Sequence, residues 1–529
     1  MNPRHLFPRD QSLLPLILTA APFLVGLVIL ALQRGAATDF GGDASLIELA
    51  TMEAASGRRL LGAYSRYGWH HPGPAYFYLL AVPYRLLGPD AGLQAGALLI
   101  NAAAAVGIVA AVRRMAGARA AWGAAAVVLA VCLGVGPVYL RDPWNPFVVV
   151  LPLLLFAVLC TAVAVGRPRA LWIAAVVGSF CVQTHVGTAP LVAVLALAAV
   201  AVRLRGGAPH HVLMQRSGRT HHRVGSVVNV ATAAVLAVLV LLWLPPLVEQ
   251  VRADDGNLTS LARFAVGAHA THPVGEALLG YTVGASAFPL GKPALELPQM
   301  AGVGQVLVVA ASLLGALACL VWGRRHRDRL LTVLGATSLL AAAVCVVAAS
   351  RVVGPLLGYL VYWMVAAPAL AWLGLGILAA RRVGLVLRAG MVAGLALAVG
   401  VGLAMSPASL DLHPPSAMIG SLVVAQARGM AADTVSLRIA SKAQWPTAAG
   451  VSAALERAGV EVRVQGGWIS MYSAARRPRG DEDLEIILSD PGAIVPGLVS
   501  ARGFGDRLGT VVHVRRLPAA DAGVTMDAS

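Results

Sequence analysis

Long apolar runs alternate with short polar connections along the chain up to about residue 405. A membrane-crossing helix needs roughly 20 consecutive apolar residues, and about eleven runs of that kind are present. They lie near residues 13–32, 91–112, 119–140, 146–165, 170–185, 187–203, 225–247, 302–322, 329–349, 356–379 and 385–404. The pattern predicts an α-helical polytopic membrane domain over residues 1–405, with about eleven transmembrane helices.

The pattern changes after residue 406, where short stretches alternate between apolar and polar side chains. This alternation predicts strands at residues 435–439, 461–464, 484–488 and 511–514. Pro446 and Gly459 bracket a helix between the first two strands, in the positions that these residues favour. Residues 406–517 are therefore predicted to form a small soluble α/β domain, followed by a disordered tail at 518–529.

Composition and charge agree with a membrane protein. Hydrophobic residues make up 58% of the chain and charged residues 12%, and the formal net charge is +16. The positive charge lies in every second connection, as at Arg113, Arg114, Arg381 and Arg382, which is the positive-inside pattern. It predicts a cytoplasmic N-terminus and an extracytoplasmic C-terminal domain. The arginine- and alanine-rich composition favours a bacterium, so we expect a bacterial cytoplasmic (inner) membrane. The charge is thus a topology signal, and we expect no nucleic-acid partner.

Two outer connections, at residues 33–90 and 249–300, are long enough to have a structure of their own. In the first, the sequence after Asp43 has helical spacing and predicts an amphipathic helix on the membrane surface. Residues 74–88 are apolar, but a crossing there would break the alternation of basic connections, so we predict a re-entrant or interfacial helix. The second connection is rich in proline and glycine and is predicted to be largely loop.

Ionisable and amide side chains gather in the outer connections, close to the ends of the predicted spans. Ionisable residues near the membrane boundary usually face a cavity, and an arginine at such a position can hold a phosphate group. Structural roles are also open, because Asp43 can cap a helix and Arg351 can extend to the lipid headgroups. The sequence does not decide whether Asp39 or Asp43 is the key acid. The candidate site residues are Asp39, Asp43, Arg66, His70, His71, Arg141, Asp142, Asn145, His185 and Arg351.

Four segments together resemble a known family. GGDASLIEL follows the first span, WHHPGPAYFYLLA precedes the second, RDPWNPFVVVLP follows a later span, and WLPPLVEQ precedes the second long outer connection. This layout resembles the C-type (GT-C) integral-membrane glycosyltransferases, in the branch of protein O-mannosyltransferases, aminoarabinose transferases and lipopolysaccharide-core galacturonosyltransferase-like domains. Ala44 stands where many relatives have Glu, and the turn reads His71-Pro72-Gly73-Pro74, so metal dependence and acceptor identity stay open.

The resemblance implies an inverting transfer of a sugar from a polyprenyl-phosphate donor to an envelope glycan, glycolipid or protein outside the membrane. Asp43 would act as the general base, and Asp142 would orient the acceptor or bind a divalent cation such as Mg or Mn. Arg351, with His71 or Arg66, would stabilise the phosphate leaving group, where negative charge develops. The remaining substrate-binding residues would be His70, Arg141, Asn145 and His185.

Two other classes of function remain open from the sequence. A lipid or polysaccharide flippase or transporter would also be polytopic, but its polar residues are expected near the bilayer midplane, between halves related by a repeat. A non-catalytic envelope-assembly protein would use the C-terminal domain for binding alone. Asparagine at positions 43 and 142 discriminates between these classes. A transferase with these substitutions should fold normally but lose turnover, whereas a non-catalytic assembly protein should be unaffected.

Overall fold

The computed structural model describes residues 12–33, 41–205, 221–406, 415–493, 502–504 and 509–517. Helices dominate these residues, and one small sheet lies near the C-terminus. The candidate acid Asp39 and the predicted tail at 518–529 lie outside the described residues.

The apolar runs form helices where the sequence predicts them. Within the described ranges, nine helices are long and apolar enough to cross a bilayer. One of them, Ala91–Val135, breaks at Gly117, where φ is 83°, so it supplies two of the predicted crossings. With the shorter apolar helix Ala170–Thr184, the described residues account for each predicted span and confirm the polytopic helical class.

The helices of this part are Leu14–Leu32, Gly42–Ala55, Ala75–Val135, Asn145–Val148, Val150–Ala164, Ala170–Thr184, Ala189–Arg205, His221–Arg252, Asn257–Val266, Val274–Ala285, Ala287–Leu290, Val303–Arg325, Arg329–Ser350, Gly358–Val361, Ala366–Ala380 and Leu385–Ala404.

The connections between these helices sort onto two ends of the bundle. Arg329 donates a hydrogen bond to the Ala164 carbonyl at 2.8 Å. Arg381 forms an ion pair with Asp328, so basic connections from several spans meet at one end. The first outer connection, the 136–144 turn and the C-terminal domain meet at the other end, which we call the cavity end.

The apolar segment at 74–88 forms a short helix, 75–87, that turns back at Gly88 with a φ of 81°. At about 1.5 Å per residue this helix spans roughly 20 Å, too short to cross the hydrocarbon layer. It packs tightly against the helix that follows, because a Cβ on Gly92 would lie 2.4 Å from the Tyr84 Cα. This geometry agrees with the predicted re-entrant or interfacial helix.

The first helix of the outer connection, Gly42–Ala55, is not the exposed surface helix that its sequence predicts. Leu46 and Leu49 pack into the core of the C-terminal domain. Ile47 and Ala50 pack into the core of the membrane helices. This helix, which we call the first outer helix, is therefore enclosed from two sides. The prediction was wrong because a membrane surface covers only one face of a helix, whereas here a soluble domain covers the other.

The second long outer connection is also more ordered than predicted. It contains helices Asn257–Val266 and Val274–Ala285 and the short helix Ala287–Leu290, where a largely irregular loop was expected. Proline and glycine flank the two longer helices rather than prevent them, since Gly256 and Pro273 are their N-cap residues and Gly267 is the C-cap residue of the first.

The C-terminal domain, described from residue 415 onward, contains a five-stranded sheet. Its strands are β1 (Thr434–Ile439), β2 (Glu461–Val464), β3 (Leu484–Ser489), β4 (Arg502–Phe504) and β5 (Val511–Arg516), in the spatial order β2-β1-β3-β5-β4. β1, β2 and β3 are parallel, with Leu437 opposite Val464 and Ile486, and β5 is antiparallel to β3 and β4.

Helices connect and flank these strands. Helix Trp445–Arg457 joins β1 to β2, as Pro446 and Gly459 predict, and helix Pro415–Gly429 precedes β1. Four of the five strands were predicted from the alternation, and β4 was not, because its three residues are too few to show a pattern.

Candidate active site

A large cavity opens at the cavity end, between the ends of the membrane helices and the C-terminal domain. Its volume is about 1630 Å³. Both predicted acids, Asp43 and Asp142, line it, although different connections carry them. The other predicted site residues on its wall are Arg66, His71, Asn145, His185 and Arg351.

Asp43 lies in the first turn of the first outer helix, where free backbone N–H groups favour a negative charge. The N-cap position belongs to Gly41, so Asp43 is not the capping residue of this helix. The Tyr64 hydroxyl donates a hydrogen bond to Asp43 Oδ1 at 2.6 Å. Asp43 is half-buried, so its carboxylate is held in place and is still reachable from the cavity.

Asp142 lies in the 136–144 turn, where the Trp144 backbone N–H donates a hydrogen bond to its Oδ1 at 2.8 Å. Burial raises the pKa of Asp142 to about 6, although the Trp144 N–H and the charge of Lys292 act in the opposite direction. The negative charge of Asp43 raises this pKa further. The two acids therefore lie close enough for the charge of one to affect the protonation of the other.

Lys292 lines the cavity as well, although the sequence pattern did not indicate it. Its ammonium group lies 4.6 Å from the Tyr139 ring centroid and 5.4 Å from the Phe147 ring centroid, within reach of cation–π attraction. The side chain is exposed within the cavity and can meet an anionic ligand. Its one signal in the sequence was rarity, because Lys292 and Lys442 are the only lysines among 41 basic residues.

His71 and His185 stack on the cavity wall, with their ring centroids 5.3 Å apart. The Val186 backbone N–H donates a hydrogen bond to His71 Nδ1 at 3.1 Å, so Nε2 carries the proton of the neutral ring. Burial lowers the pKa of His71, and it lowers the pKa of His185 to about 4. Both imidazoles are therefore neutral at neutral pH and can serve a ligand as hydrogen-bonding groups, not as cations.

Three arginines reach the cavity, and they differ in how much of the guanidinium is already bound. Arg59 is committed to an ion pair with Glu53 and to three backbone carbonyls. Arg66 donates to two backbone carbonyls of the 353–355 segment, at 2.9 and 3.0 Å. Arg351 makes no side-chain hydrogen bond or ion pair with the part of the chain that the structure describes, so it is the guanidinium most available to a phosphate.

Two predicted site residues, His70 and Arg141, do not line the cavity. His70 is buried behind the wall, where its backbone N–H and carbonyl bond to the Asn257 amide at 2.7 and 2.9 Å. Neighbouring side chains of an extended segment point to opposite sides, so the segment that turns His71 toward the cavity turns His70 away. Arg141 is 2% exposed and follows the 3-10 helix Pro137–Leu140 inside the protein.

A divalent cation was left open by the family resemblance, with Asp43 and Asp142 as ligands. Within the described ranges, no group of three or more His, Cys, Asp or Glu side chains is arranged to hold a metal ion. Each carboxylate also accepts a hydrogen bond from the protein, Asp43 from Tyr64 and Asp142 from Trp144. A divalent cation such as Mg²⁺ at these two acids would therefore need further ligands that the protein does not supply in the described ranges, such as water.

Comparison with known proteins gives a structural match without a sequence match. No protein-family model and no curated protein matches the chain. The solved structure of ArnT from Cupriavidus metallidurans bound to undecaprenyl phosphate does match, with a TM-score of 0.57 and 15% sequence identity, over 94% of this chain and 97% of that chain. The fold is similar to that of ArnT.

The apo state of the same ArnT gives a TM-score of 0.54 and 14% identity, over 93% of this chain and 97% of that chain. Because the match covers nearly the whole of both chains, it includes the membrane helices and the C-terminal domain together. It confirms the GT-C-like fold that the sequence motifs predicted.

Proposed function

We propose that this multi-pass membrane protein is a glycosyltransferase, which moves a sugar from a polyprenyl-phosphate donor to an acceptor on the extracytoplasmic side of the bacterial inner membrane. The supporting observation is the shared cavity, in which Asp43, Asp142, Lys292 and Arg351 line one space between membrane helices and a soluble domain. Nucleotide sugars do not reach the outer face of the membrane, so an enzyme there needs a lipid-carried donor. ArnT, whose fold is similar, was solved with undecaprenyl phosphate bound.

In the proposed reaction, Asp43 accepts the proton of the acceptor hydroxyl while the acceptor oxygen attacks C1 of the donor sugar. The bond between C1 and the phosphate oxygen breaks with inversion at C1, and the polyprenyl phosphate leaves with the electron pair. Burial raises the pKa of Tyr64, so its hydroxyl keeps its proton and holds the Asp43 carboxylate in position. Asp43 then releases the proton to water.

Negative charge develops on the phosphate as it leaves, and fixed cations stabilise this charge most where water is excluded. Lys292 and Arg351, which both line the cavity, would supply this stabilisation. Asp142, which lies within the electrostatic reach of Lys292, would orient the acceptor. Alternatively, Asp142, with Asp43 nearby, would hold a hydrated divalent cation such as Mg²⁺, which supplies positive charge when bound.

The proposal is tested with purified protein in lipid nanodiscs, incubated with a panel of polyprenyl-phosphate hexoses and pentoses. The measured quantity is the release of polyprenyl phosphate, with and without an extract of envelope glycans and glycolipids. We expect one donor class to release the lipid phosphate, faster when acceptor is present. If no donor of the panel releases it under either condition, the proposal is rejected.

A parallel measurement separates the transferase from the other two classes. In sealed vesicles, a flippase would move a labelled polyprenyl-phosphate sugar between leaflets and leave the sugar–phosphate bond intact. A non-catalytic assembly protein would neither move the lipid nor cleave it. Only the transferase should produce free polyprenyl phosphate and a glycosylated acceptor in equal amounts.

A further inference from the structure

The C-terminal domain contributes directly to the cavity wall, through Trp445 and Met471. Trp445 is half-buried and packs against the core of its own domain. Its indole makes no side-chain hydrogen bond with the residues that the structure describes, so its N–H can still pair with a ligand. The cavity is therefore bounded on one side by a half-exposed aromatic side chain from outside the membrane part.

Trp445 and Met471 lie at the same edge of the sheet. Trp445 follows β1 and Met471 follows β2, and these strands are parallel, so both residues lie beyond the carboxyl ends of their strands. Open α/β sheets bind ligands in the crevice at that edge. In this protein, Trp445 and Met471 at that edge line the cavity. A ligand in the cavity therefore meets the edge at which open α/β sheets bind ligands.

A buried ion cluster holds this wall in a fixed position; its members are Glu53, Arg59, Glu456 and Arg476. Glu53 accepts hydrogen bonds from Arg59 at 3.0 Å and from Arg476 at 2.9 Å. Arg476 also pairs with Glu456 of the C-terminal domain. Since Glu53 lies on the first outer helix, the cluster ties the C-terminal domain to the helix that carries Asp43.

Tyr64 connects the same wall to the proposed base. Its ring packs against the core of the C-terminal domain, and its hydroxyl donates to Asp43. Lys292, in contrast, packs against rings of the membrane part and influences Asp142. In the proposed reaction, the acceptor has to bring a hydroxyl to Asp43, and the donor phosphate has to reach Lys292 and Arg351. The wall formed by the C-terminal domain therefore belongs to the acceptor side of the cavity.

We propose that Trp445 is a stacking platform for a pyranose ring of the acceptor, which makes the acceptor a glycan or glycolipid. A pyranose ring has a face of C–H groups and a rim of hydroxyls, and these match the apolar face and polar edge of an indole. Met471 adds an adaptable apolar contact beside the ring. This inference rests on the proposed function, because the transfer reaction is what requires an acceptor.

Sugar binding to the full-length protein in nanodiscs tests the platform without turnover. The probes are maltotriose, mannotriose and chitotriose, each observed by saturation-transfer NMR. We expect transfer from the wild-type protein to the pyranose protons of at least one probe, its loss in Trp445→Ala, and partial recovery in Trp445→Phe. Absence of transfer with all three probes, or equal transfer in Trp445→Ala, overturns the proposal.

Trp468→Ala is the matched control for this measurement. Trp468 belongs to the same domain and is also half-buried against its core, but it does not line the cavity. Its removal should leave the transfer unchanged. A loss of transfer equal to that in Trp445→Ala would mean that damage to the domain, and not a lost stacking contact, explains the effect, and would reject the platform.

Turnover separates the platform from the proposed function itself. With a donor and acceptor that support release of polyprenyl phosphate, Trp445→Ala should raise the KM for acceptor about tenfold and leave the KM for donor unchanged. An unchanged acceptor KM rejects the platform and leaves the transferase standing. The opposite outcome is sugar binding that depends on Trp445 in a protein that releases no polyprenyl phosphate from any donor. It would reject the transferase and support the sugar-binding site.

Discussion

The two acids of the cavity are held by different parts of the molecule. Asp43 lies on the first outer helix, which is packed between the membrane helices and the C-terminal domain and tied to the latter by the ion cluster. Asp142 lies in the 136–144 turn, which is bonded to helix Ala91–Val135 and to the short helix 75–87. Asn101 donates a hydrogen bond to one carbonyl of this turn at 2.8 Å, and the buried Tyr76 donates to another.

This difference predicts that the two acids respond to different disturbances. A change that loosens the C-terminal domain should displace Asp43 first, because part of its support comes from that domain. Asp142 should keep its place through the same change, since its turn is bonded to the buried Asn101 and Tyr76, which lie outside that domain. The relative position of base and second acid is therefore set by the docking of one domain on another.

The largest effect is expected from Asp43→Asn, which removes the base and leaves its helix in place. A positioned general base contributes about 10²- to 10⁴-fold, so we expect the release of polyprenyl phosphate to slow about 10³-fold. Asp254→Asn is the control, because Asp254 is an exposed acid of the second outer connection that does not line the cavity. A loss below tenfold would remove Asp43 from this role and make Asp39 the next acid to substitute.

Glu53→Gln tests the support of Asp43 without touching the cavity acids. Burial alone would raise the pKa of Glu53, but Arg59 and Arg476 outweigh it and hold this pKa below its usual value, so Glu53 is charged. Breaking a buried ion pair by removing one partner costs about 3 kcal/mol. We expect faster hydrogen exchange in the first outer helix, slower turnover, and unchanged exchange in the 136–144 turn.

Glu461→Gln provides the matched control within the C-terminal domain. Glu461 pairs with Arg463 at 3.2 Å, but its side chain is 49% exposed. An exposed pair contributes only about 0.2–1 kcal/mol, so exchange in the first outer helix should stay as in the wild type. If Glu53→Gln speeds exchange equally in both acid-bearing segments, the two acids share one support and the contrast between them is lost.

The same contrast explains which parts of the fold the sequence could predict. The spans and strands could be predicted because each of their patterns reflects a single environment. A span is surrounded by apolar material along its whole length, and a strand buries one face of its sheet. The first outer helix was predicted as a helix, but its position between two cores was not, because Leu46 and Ile47 are neighbours in sequence and pack into different cores. From the sequence alone, a helix that packs against two partners cannot be told from an amphipathic helix on a membrane surface.

The candidate site was predictable to the extent that its residues lie beside the ends of spans. Asp43, His71 and Asp142 were found because an ionisable group is unusual at such positions. Lys292 and Trp445 could not be found in this way. Lys292 follows a segment that was expected to be loop, and Trp445 reaches the cavity only through docking of the C-terminal domain, which depends on contacts distant in sequence.

A moderate effect is expected from Lys292→Met, which removes a cation on the Asp142 side of the cavity and leaves Asp43 unchanged. Loss of one group that stabilises developing negative charge typically costs about 10²-fold in kcat. Lys442→Met is the natural control, since Lys442 is the other lysine of the chain and does not line the cavity. Release of polyprenyl phosphate at the wild-type rate in Lys292→Met would leave Arg351 as the phosphate-binding cation.

The smallest effect concerns the protonation of Asp142. Its pKa is raised by burial to about 6, so the carboxyl is ionised above that pH and protonated below it. If the ionised form orients the acceptor, kcat/KM should be constant near pH 8. Below pH 6 it should decrease, with a slope that approaches about tenfold per pH unit. Asp142→Asn should lower the plateau about tenfold and remove this acid limb.

Lys292→Met should move the limb to higher pH, because the charge of Lys292 lowers the pKa of Asp142 in the wild type. The cavity histidines cannot produce the same limb, since burial lowers the pKa of His71 and brings that of His185 to about 4. An acid limb near pH 6 that survives Asp142→Asn would therefore belong to the other acid, Asp43. In that case protonation of Asp142 would not limit the reaction, and its proposed role in orienting the acceptor would be rejected.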